Sequence, residues 1–298
     1  MYDIVIIGGG PAGLTAAIYG RRANKKVLVL EALTPGGQII NTTKIDNYPG
    51  LPHVSGVDFA TSLYNQVIEL GAEIKFEKVI SVKYPIVTTK DNTYNGKAII
   101  IATGADKRKL GLEKEEYFNG RGLSYCATCD GNFYKNQDVC VYGSGDTAID
   151  DAMYLSDICK NVYLVTRSEH FKGSELSLKE LENKDNVHLI YNTVITDLIG
   201  SNNLTGIVTK SNNEVKELEV NGLFVAIGQV PETESFINII DVDDNGYAIT
   251  GEDMRTKVPG IYVAGDVRKK NLRQLSTAIS DGAIAATEAI QDINNKVI

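Results

Sequence analysis

Two glycine-rich stretches constrain the fold of this 298-residue chain more than anything else: Gly8-Gly9-Gly10-Pro11-Ala12-Gly13 and Gly143-Ser144-Gly145-Asp146-Thr147-Ala148. Each follows a short apolar run, Ile4–Ile7 in the first case and Val139–Tyr142 in the second. A continuous run without polar alternation reads as a parallel strand buried on both faces. In G-x-G-x-x-G, the first glycine makes the turn out of the strand and the second lets a pyrophosphate reach the backbone. The third lets the next helix pack on the strand, its N-terminus toward the phosphates. The spacing predicts a helix over roughly Ala12–Ala23 and a strand Val27–Leu30, closed by Glu31, an acid suited to accept from ribose hydroxyls. After the second stretch, G-x-G-x-x-A, it predicts a helix Thr147–Leu155 and a strand Val162–Val165. One strand–helix–strand plan therefore occurs twice.

The expected fold class is α/β, two Rossmann-like (three-layer ββα) nucleotide-binding domains with one inserted into the other. After a Gly/Pro/Asn-rich loop over 35–56, the pattern gives a helix near Gly56–Leu70 and short strands Glu73–Phe76, Ser81–Tyr84 and Ile86–Thr89. A buried strand Lys97–Ala102 then ends in Thr103-Gly104. Strands near Val187–Tyr191, Leu204–Thr209 and Leu223–Ile227 complete the second unit. The first pattern returns at Gly260–Asp266, a strand ending in Gly-Asp, and at an Ala-rich helix Ser276–Ile290. The expected domains are 1–110 with 241–298, and 111–240 between them.

Between the two fingerprints lies Cys126-Ala127-Thr128-Cys129-Asp130. Two thiols two residues apart can close into a reactive disulfide, and an adjacent acid can move protons. Cys-x-x-Cys is also half of a zinc site, but that needs a second pair, and Cys140 and Cys159 lie far apart in predicted packing positions. Asp130 is open to a second reading as a turn residue before Gly131. His53, His170 and His188 fall in no ligand spacing. A net charge of −8 argues against a general nucleic-acid or membrane-surface binder. The apolar run Ile4–Ile7 is too short for a signal sequence or a membrane span. Four cysteines in such a chain do not make a disulfide scaffold, so the expected location is a reducing compartment, the cytoplasm. A reactive pair between two nucleotide sites suggests electrons passing from a nucleotide to a flavin to a disulfide.

Taken together, Gly8–Gly13, Gly36-Gly37-Gln38, Asn47-Tyr48-Pro49-Gly50, Ala102-Thr103-Gly104, Cys126–Asp130, Gly143–Ala148, Gly265-Asp266 and Arg273-Gln274 resemble the low-molecular-weight flavoprotein thioredoxin reductases of bacteria. The resemblance implies a homodimer that reduces thioredoxin. It implies an FAD domain from both chain ends, contacting the cofactor through Gly8, Gly10, Pro11, Ala12, Gly13, Glu31, Gly37, Gln38, Asn47, Ala102, Thr103, Gly104, Gly265, Asp266, Arg273 and Gln274. It implies that Cys129 takes electrons from the flavin, Cys126 attacks the thioredoxin disulfide, and Asp130 donates and accepts protons. The central domain would bind NADPH through Gly143, Gly145, Asp146, Thr147, Ala148, Arg167 and Lys172.

The chain departs from the family in that last region. NADPH-using members carry His-Arg-Arg-x-x-x-Arg, whose arginines fork onto the 2′-phosphate. Here the stretch is Thr166-Arg167-Ser168-Glu169-His170-Phe171-Lys172, and the family's histidine in a later Gly-His-x-Pro loop is Gln229. Two donors are therefore open: NADPH, held by Arg167 and Lys172, or reduced ferredoxin, as in a branch from anaerobes. Arg268, Lys269, Lys270 and Arg273 beside Gly265-Asp266 form a basic cluster on which an acidic ferredoxin could land. A reading of another class, a non-catalytic FAD-binding redox sensor, would not need Cys126, Cys129 and Asp130 together.

Overall fold

The computed structural model describes every residue except Thr43 and Asn213. The chain divides into two compact units, Met1–Asp106 with Val230–Ile298, and Lys107–Gln229.

In the first unit the chain begins β1 (Tyr2–Ile7), α1 (Pro11–Arg22) and β2 (Val27–Glu31), then α2 (Gly56–Glu69) and β3 (Glu73–Phe76). A meander follows: β4 (Val79–Lys83), β5 (Ile86–Thr89) and β6 (Thr93–Ile101). Strands β3, β2, β1 and β6 pair in parallel in that order. The alternation of side chains across the sheet explains why β1 shows no polar face. Ile4 and Ile6 pack on the helical side with Leu14 and Ala16, while Val5 and Ile7 pack on the meander side with Val82 and Val87. Strand β6 begins earlier than the Lys97 expected, because its first residues pair antiparallel with β5 and its last residues join the parallel sheet. Burying side chains of this size stabilises by about 1.5–3 kcal/mol each.

Strand β7 (Ala105–Lys107) carries the chain across the first boundary, and the second unit then has α3 (Glu115–Phe118), β8 (Leu123–Ser124) and α4 (Ala127–Asp130). It continues through β9 (Asp138–Tyr142), α5 (Asp146–Ser156), β10 (Asn161–Val165), α6 (Glu175–Glu182) and β11 (Val187–Ile190). Three antiparallel strands, β12 (Thr193–Gly200), β13 (Leu204–Ser211) and β14 (Glu214–Glu219), precede β15 (Gly222–Val225) and β16 (Gln229–Pro231). The parallel sheet runs β11-β10-β9-β15-β8. Val139 and Val141 pack toward α5, while Cys140 and Tyr142 pack toward the meander with Ile195 and Ile207. This is the same three-layer plan.

The chain then completes the first sheet with β17 (Ile261–Val263), parallel to β6, and covers it with α7 (Leu275–Asn294). The unit boundaries fall at 106/107 and 229/230, not at the expected 110/111 and 240/241. Packing is the reason. Phe236 and Ile240 are buried among Val82, Val87 and Ile99 of the first unit, and Leu110 packs against the core of the second. Strands β12 and β14 and helix α6 were not expected. Strand β14 is exposed along nearly its whole length and exists by pairing with β13, so no apolar pattern marks it.

Candidate active site

The Cys126–Cys129 disulfide is formed, with its Cα atoms 5.3 Å apart. Ala127, fully buried, pins the intervening turn into the core while both cysteines remain half-buried. Backbone bonds from the Cys129 and Asp130 amides to the Cys126 carbonyl, 3.3 and 3.1 Å, close the loop. The Thr128 hydroxyl lies 3.5 Å from Cys126 Sγ. Asp130 accepts a 2.6 Å hydrogen bond from the buried Ser124 hydroxyl, which itself accepts from the Cys126 amide at 3.0 Å. Burial pushes the Asp130 carboxyl above the usual carboxylate range; the Ser124 bond and the Lys107 ammonium oppose that only in part. An acid so placed holds its proton closer to neutrality than a surface aspartate does.

In the first unit, the residues expected to meet a dinucleotide come together from several loops. Gly8 sits at φ +105°, and a Cβ there would strike the Ala102 carbonyl; a Cβ on Gly13 would strike the carbonyl of Gly8. The turn is therefore closed to any larger residue. Helix α1 starts at Gly10 with Pro11 in its first turn and with no side-chain cap, leaving its first amides open. Asn47 donates to Gln274 at 3.0 Å, Gln38 to Asp106 at 2.8 Å, and Thr103 to the Glu232 carbonyl at 2.7 Å. Glu31 is partly committed: its two oxygens accept from the amides of Gly9 and Leu33.

In the second unit, α5 likewise begins at a glycine, Gly145, with no side-chain cap. Asp146 accepts from the Ser174 amide at 2.8 Å, and the Lys172 amide donates to the Ser144 carbonyl at 2.6 Å, so residues 172–174 lie along the glycine turn. Arg167 and Lys172 are exposed, and neither makes an ion pair among the described residues.

Residues 2–282 match the family "Pyridine nucleotide-disulphide oxidoreductase". The chain belongs to this family, in its thioredoxin reductase branch. It is 40% identical over 296 residues to a thioredoxin reductase of Listeria monocytogenes, covering 97% of this chain and 93% of the relative. A "34.2 kDa protein in rubredoxin operon" of Clostridium pasteurianum is 39% identical over 301 residues, covering 99% and 98%. The crystal structure of thioredoxin reductase from Streptococcus pyogenes superposes with a TM-score of 0.94 at 37% identity, covering 99% of each chain. Among the described residues no helix is long and apolar enough to cross a membrane, and no group of three or more His, Cys, Asp or Glu is placed to hold a metal.

The residues fit the flavin dinucleotide that a reductase of this branch would use. The glycine turn leaves room for phosphates, and Asp266 Oδ1 is buried with no hydrogen bond and the Lys270 ammonium 3.3 Å away. One expectation is corrected. The basic cluster at 268–273 is not an exposed landing place. Arg268 is buried, paired with Asp281 at 2.9 Å and bonded to Thr250. Lys270 is paired with Asp281 and Asp266, and Arg273 donates to two backbone carbonyls and lies over the Tyr247 ring. Only Lys269 of the four points its charge fully into solvent. Gln229, which replaces the family's histidine, has a buried Oε1 without a hydrogen bond.

Sequence reasoning missed Ser124, Lys107 and Asp281. Ser124 ends the two-residue strand β8, and nothing local announces it. Asp281 alone had a legible signal, an acid in an otherwise small-residue helix face, Ala278, Gly282 and Ala285.

Proposed function

We propose that this chain is an FAD-dependent thioredoxin–disulfide reductase that takes its electrons from NADPH. The observation that carries the reading is the formed Cys126–Cys129 disulfide with a buried, raised acid, Asp130, held beside it by Ser124. The first unit would hold FAD: Gly8, Gly10, Pro11, Ala12 and Gly13 at the pyrophosphate, Glu31 at the ribose, and Gly37, Gln38, Asn47, Ala102–Gly104, Gly265, Asp266, Arg273 and Gln274 along the rest. Bound there, FAD supplies the electron pair that opens the disulfide through Cys129.

The remaining steps belong to the chain. Breaking the sulfur–sulfur bond leaves two thiolates, with Asp130 still holding its proton. Cys126 then attacks one sulfur of the thioredoxin disulfide, forming a mixed disulfide and expelling a thiolate that Asp130 protonates. Cys129 attacks Cys126 Sγ, remakes the internal disulfide and releases the second thioredoxin sulfur. The second thioredoxin thiolate and Asp130 each take a proton from solvent, so thioredoxin gains two electrons and two protons and the enzyme returns to its starting state. Asp130 suits this relay because burial makes it hold its proton more tightly than a surface aspartate does.

Arg167 and Lys172 support NADPH as donor, being exposed and free of ion pairs where a 2′-phosphate would arrive. Ser168 and Glu169 weigh the other way, toward reduced ferredoxin. We further propose a homodimer in the cytoplasm. Anaerobic addition of NADPH, NADH and reduced ferredoxin in turn, followed at the flavin's visible absorbance, tests the donor. Fast bleaching by NADPH supports the reading; bleaching by ferredoxin alone refutes it. A Cys129→Ser variant that still performs the cellular function would instead favour the redox sensor.

A further inference from the structure

Behind the Gly265-Asp266 turn lies a compact set of charges that the reaction above does not use. Asp281, on α7 and 6% exposed, offers one oxygen, Oδ2, to three donors. These are the Gly265 amide at 3.0 Å, the Arg268 guanidinium at 2.9 Å and the Lys270 ammonium at 3.1 Å. Lys270 reaches onward to Asp266 Oδ1 at 3.3 Å. That oxygen is buried and lacks a hydrogen bond, whereas the Asp266 side chain as a whole is 36% exposed. Its accessibility therefore lies in the rest of the side chain.

A largely enclosed lysine placed against a buried aspartate is costly unless the pair acts on something. Arg268 already neutralises Asp281, so Asp281 has no need of a second cation. What the second cation adds is a fixed positive charge behind Asp266. Burial raises the Asp266 carboxyl, and Lys270 is the first of the groups that oppose this, followed by Arg273. The glycine before it is equally constrained, at φ +84°, with a Cβ there reaching Ala12 of α1.

We propose that Lys270, braced by Asp281, is a positioning residue for the flavin nucleotide. It holds the Asp266 carboxylate ionised and turned so that its free oxygen accepts a hydrogen bond from a cofactor hydroxyl. The proposal rests on the reading of the first unit as an FAD site. It assigns to Lys270 and Asp281 a role in cofactor affinity, where the sequence reading placed Lys270 in a basic cluster and did not single out Asp281.

The test is FAD titration of the stripped protein, followed by quenching of flavin fluorescence, for wild type, Lys270→Met and Asp281→Asn, with melting of each apoprotein alongside. Lys270→Met is expected to weaken FAD binding by about tenfold or more while the apoprotein melts near the wild-type temperature. Its affinity is expected to fall further as pH is lowered from about 8 to about 6, because Asp266 then keeps only Arg273 as a nearby cation, with Asp281 still opposing ionisation. Wild-type affinity is expected to fall less over that range. A Kd within twofold of wild type, or equal pH dependence in both proteins, overturns the proposal. If Lys270→Met does not fold, Lys270→Gln, which keeps a donor and loses the charge, reads the same quantities. Failure of the wild-type protein to bind FAD at all would overturn the proposed function instead.

Discussion

Asp151 offers the sharpest numerical test of the second unit. It lies in α5, one helical turn before Leu155, on the helix face that meets the Asp130–Gly131 segment. Burial, then the neighbouring Asp150, pushes its carboxyl up from the ordinary 3.8 to about 7, with Lys107 opposing. Holding a carboxyl that far above its unfolded value costs about 4 kcal/mol when it is charged. Because the side chain is only half-buried, water recovers part of that, and about 2–4 kcal/mol is the working range. The sign follows from linkage. A carboxyl with a raised folded pKa binds more protons in the folded state, so its contribution to stability is complete below about pH 4 and is lost as pH rises through about 7. Asp151→Asn removes the charge and keeps the shape. The variant is expected to be more stable than wild type by about 2–4 kcal/mol at pH 8, with the gap closing as pH falls and gone near about pH 4. Urea denaturation at a series of pH values measures it. Added salt should remove only the share of Asp150, which is exposed and screened over about 8–10 Å. A gap that does not change with pH, or a variant less stable than wild type at pH 8, would refute the reasoning and mean that Lys107 fully neutralises Asp151.

Four further outcomes are expected. Cys126→Ser should abolish thioredoxin reduction while leaving the flavin reducible, read as anaerobic bleaching without turnover. Ser124→Ala should move the pH midpoint of turnover upward, since Asp130 loses the bond that favours its charged form, and Asp130→Asn should slow turnover by about a hundredfold with FAD retained. Unchanged activity of the asparagine variant across pH would sink the acid–base role. Asp292→Ala should destabilise the first unit by about 3 kcal/mol in chemical denaturation, because it strips Arg255 and the buried Tyr262 hydroxyl of a shared partner.

The parts of this molecule that were legible in the sequence are those where one local pattern has one physical solution. Ile4–Ile7 followed by Gly8, Gly10 and Gly13 admits little besides a buried strand, a phosphate-sized turn and a packed helix, and the structure has all three. The reactive pair was legible because Cys126 and Cys129 stand two residues apart, beside Asp130 and between the two glycine fingerprints. Illegible features depend on partners distant in sequence. Strand β14, Glu-Val-Lys-Glu-Leu-Glu, has the composition of a solvated segment and becomes a strand by pairing with β13. The second crossing was placed too late because Phe236 and Ile240 could bury in either unit as far as sequence shows, and they bury in the first.

Charge shows the same dependence most plainly, and it bears on the donor. Read along the chain, Arg268 to Arg273 is the densest cationic run near the flavin motifs, while Arg167 and Lys172 are the remnants of a degraded one. In three dimensions the ranking inverts. The dense run is engaged by Asp281, Asp266, backbone carbonyls and the Tyr247 ring, and only Lys269 of its four cations is exposed. The two remnants stand in solvent beside the second glycine turn with their charge available. An acidic protein surface is attracted by unpaired exposed charge, not by cations counted in sequence. A ferredoxin would therefore have to find its electrostatic steering on the first unit from Lys269 and whatever lies beyond the cluster, whereas a nucleotide phosphate at the second unit would meet two exposed cations that make no ion pair among the described residues, with Glu169 opposing it.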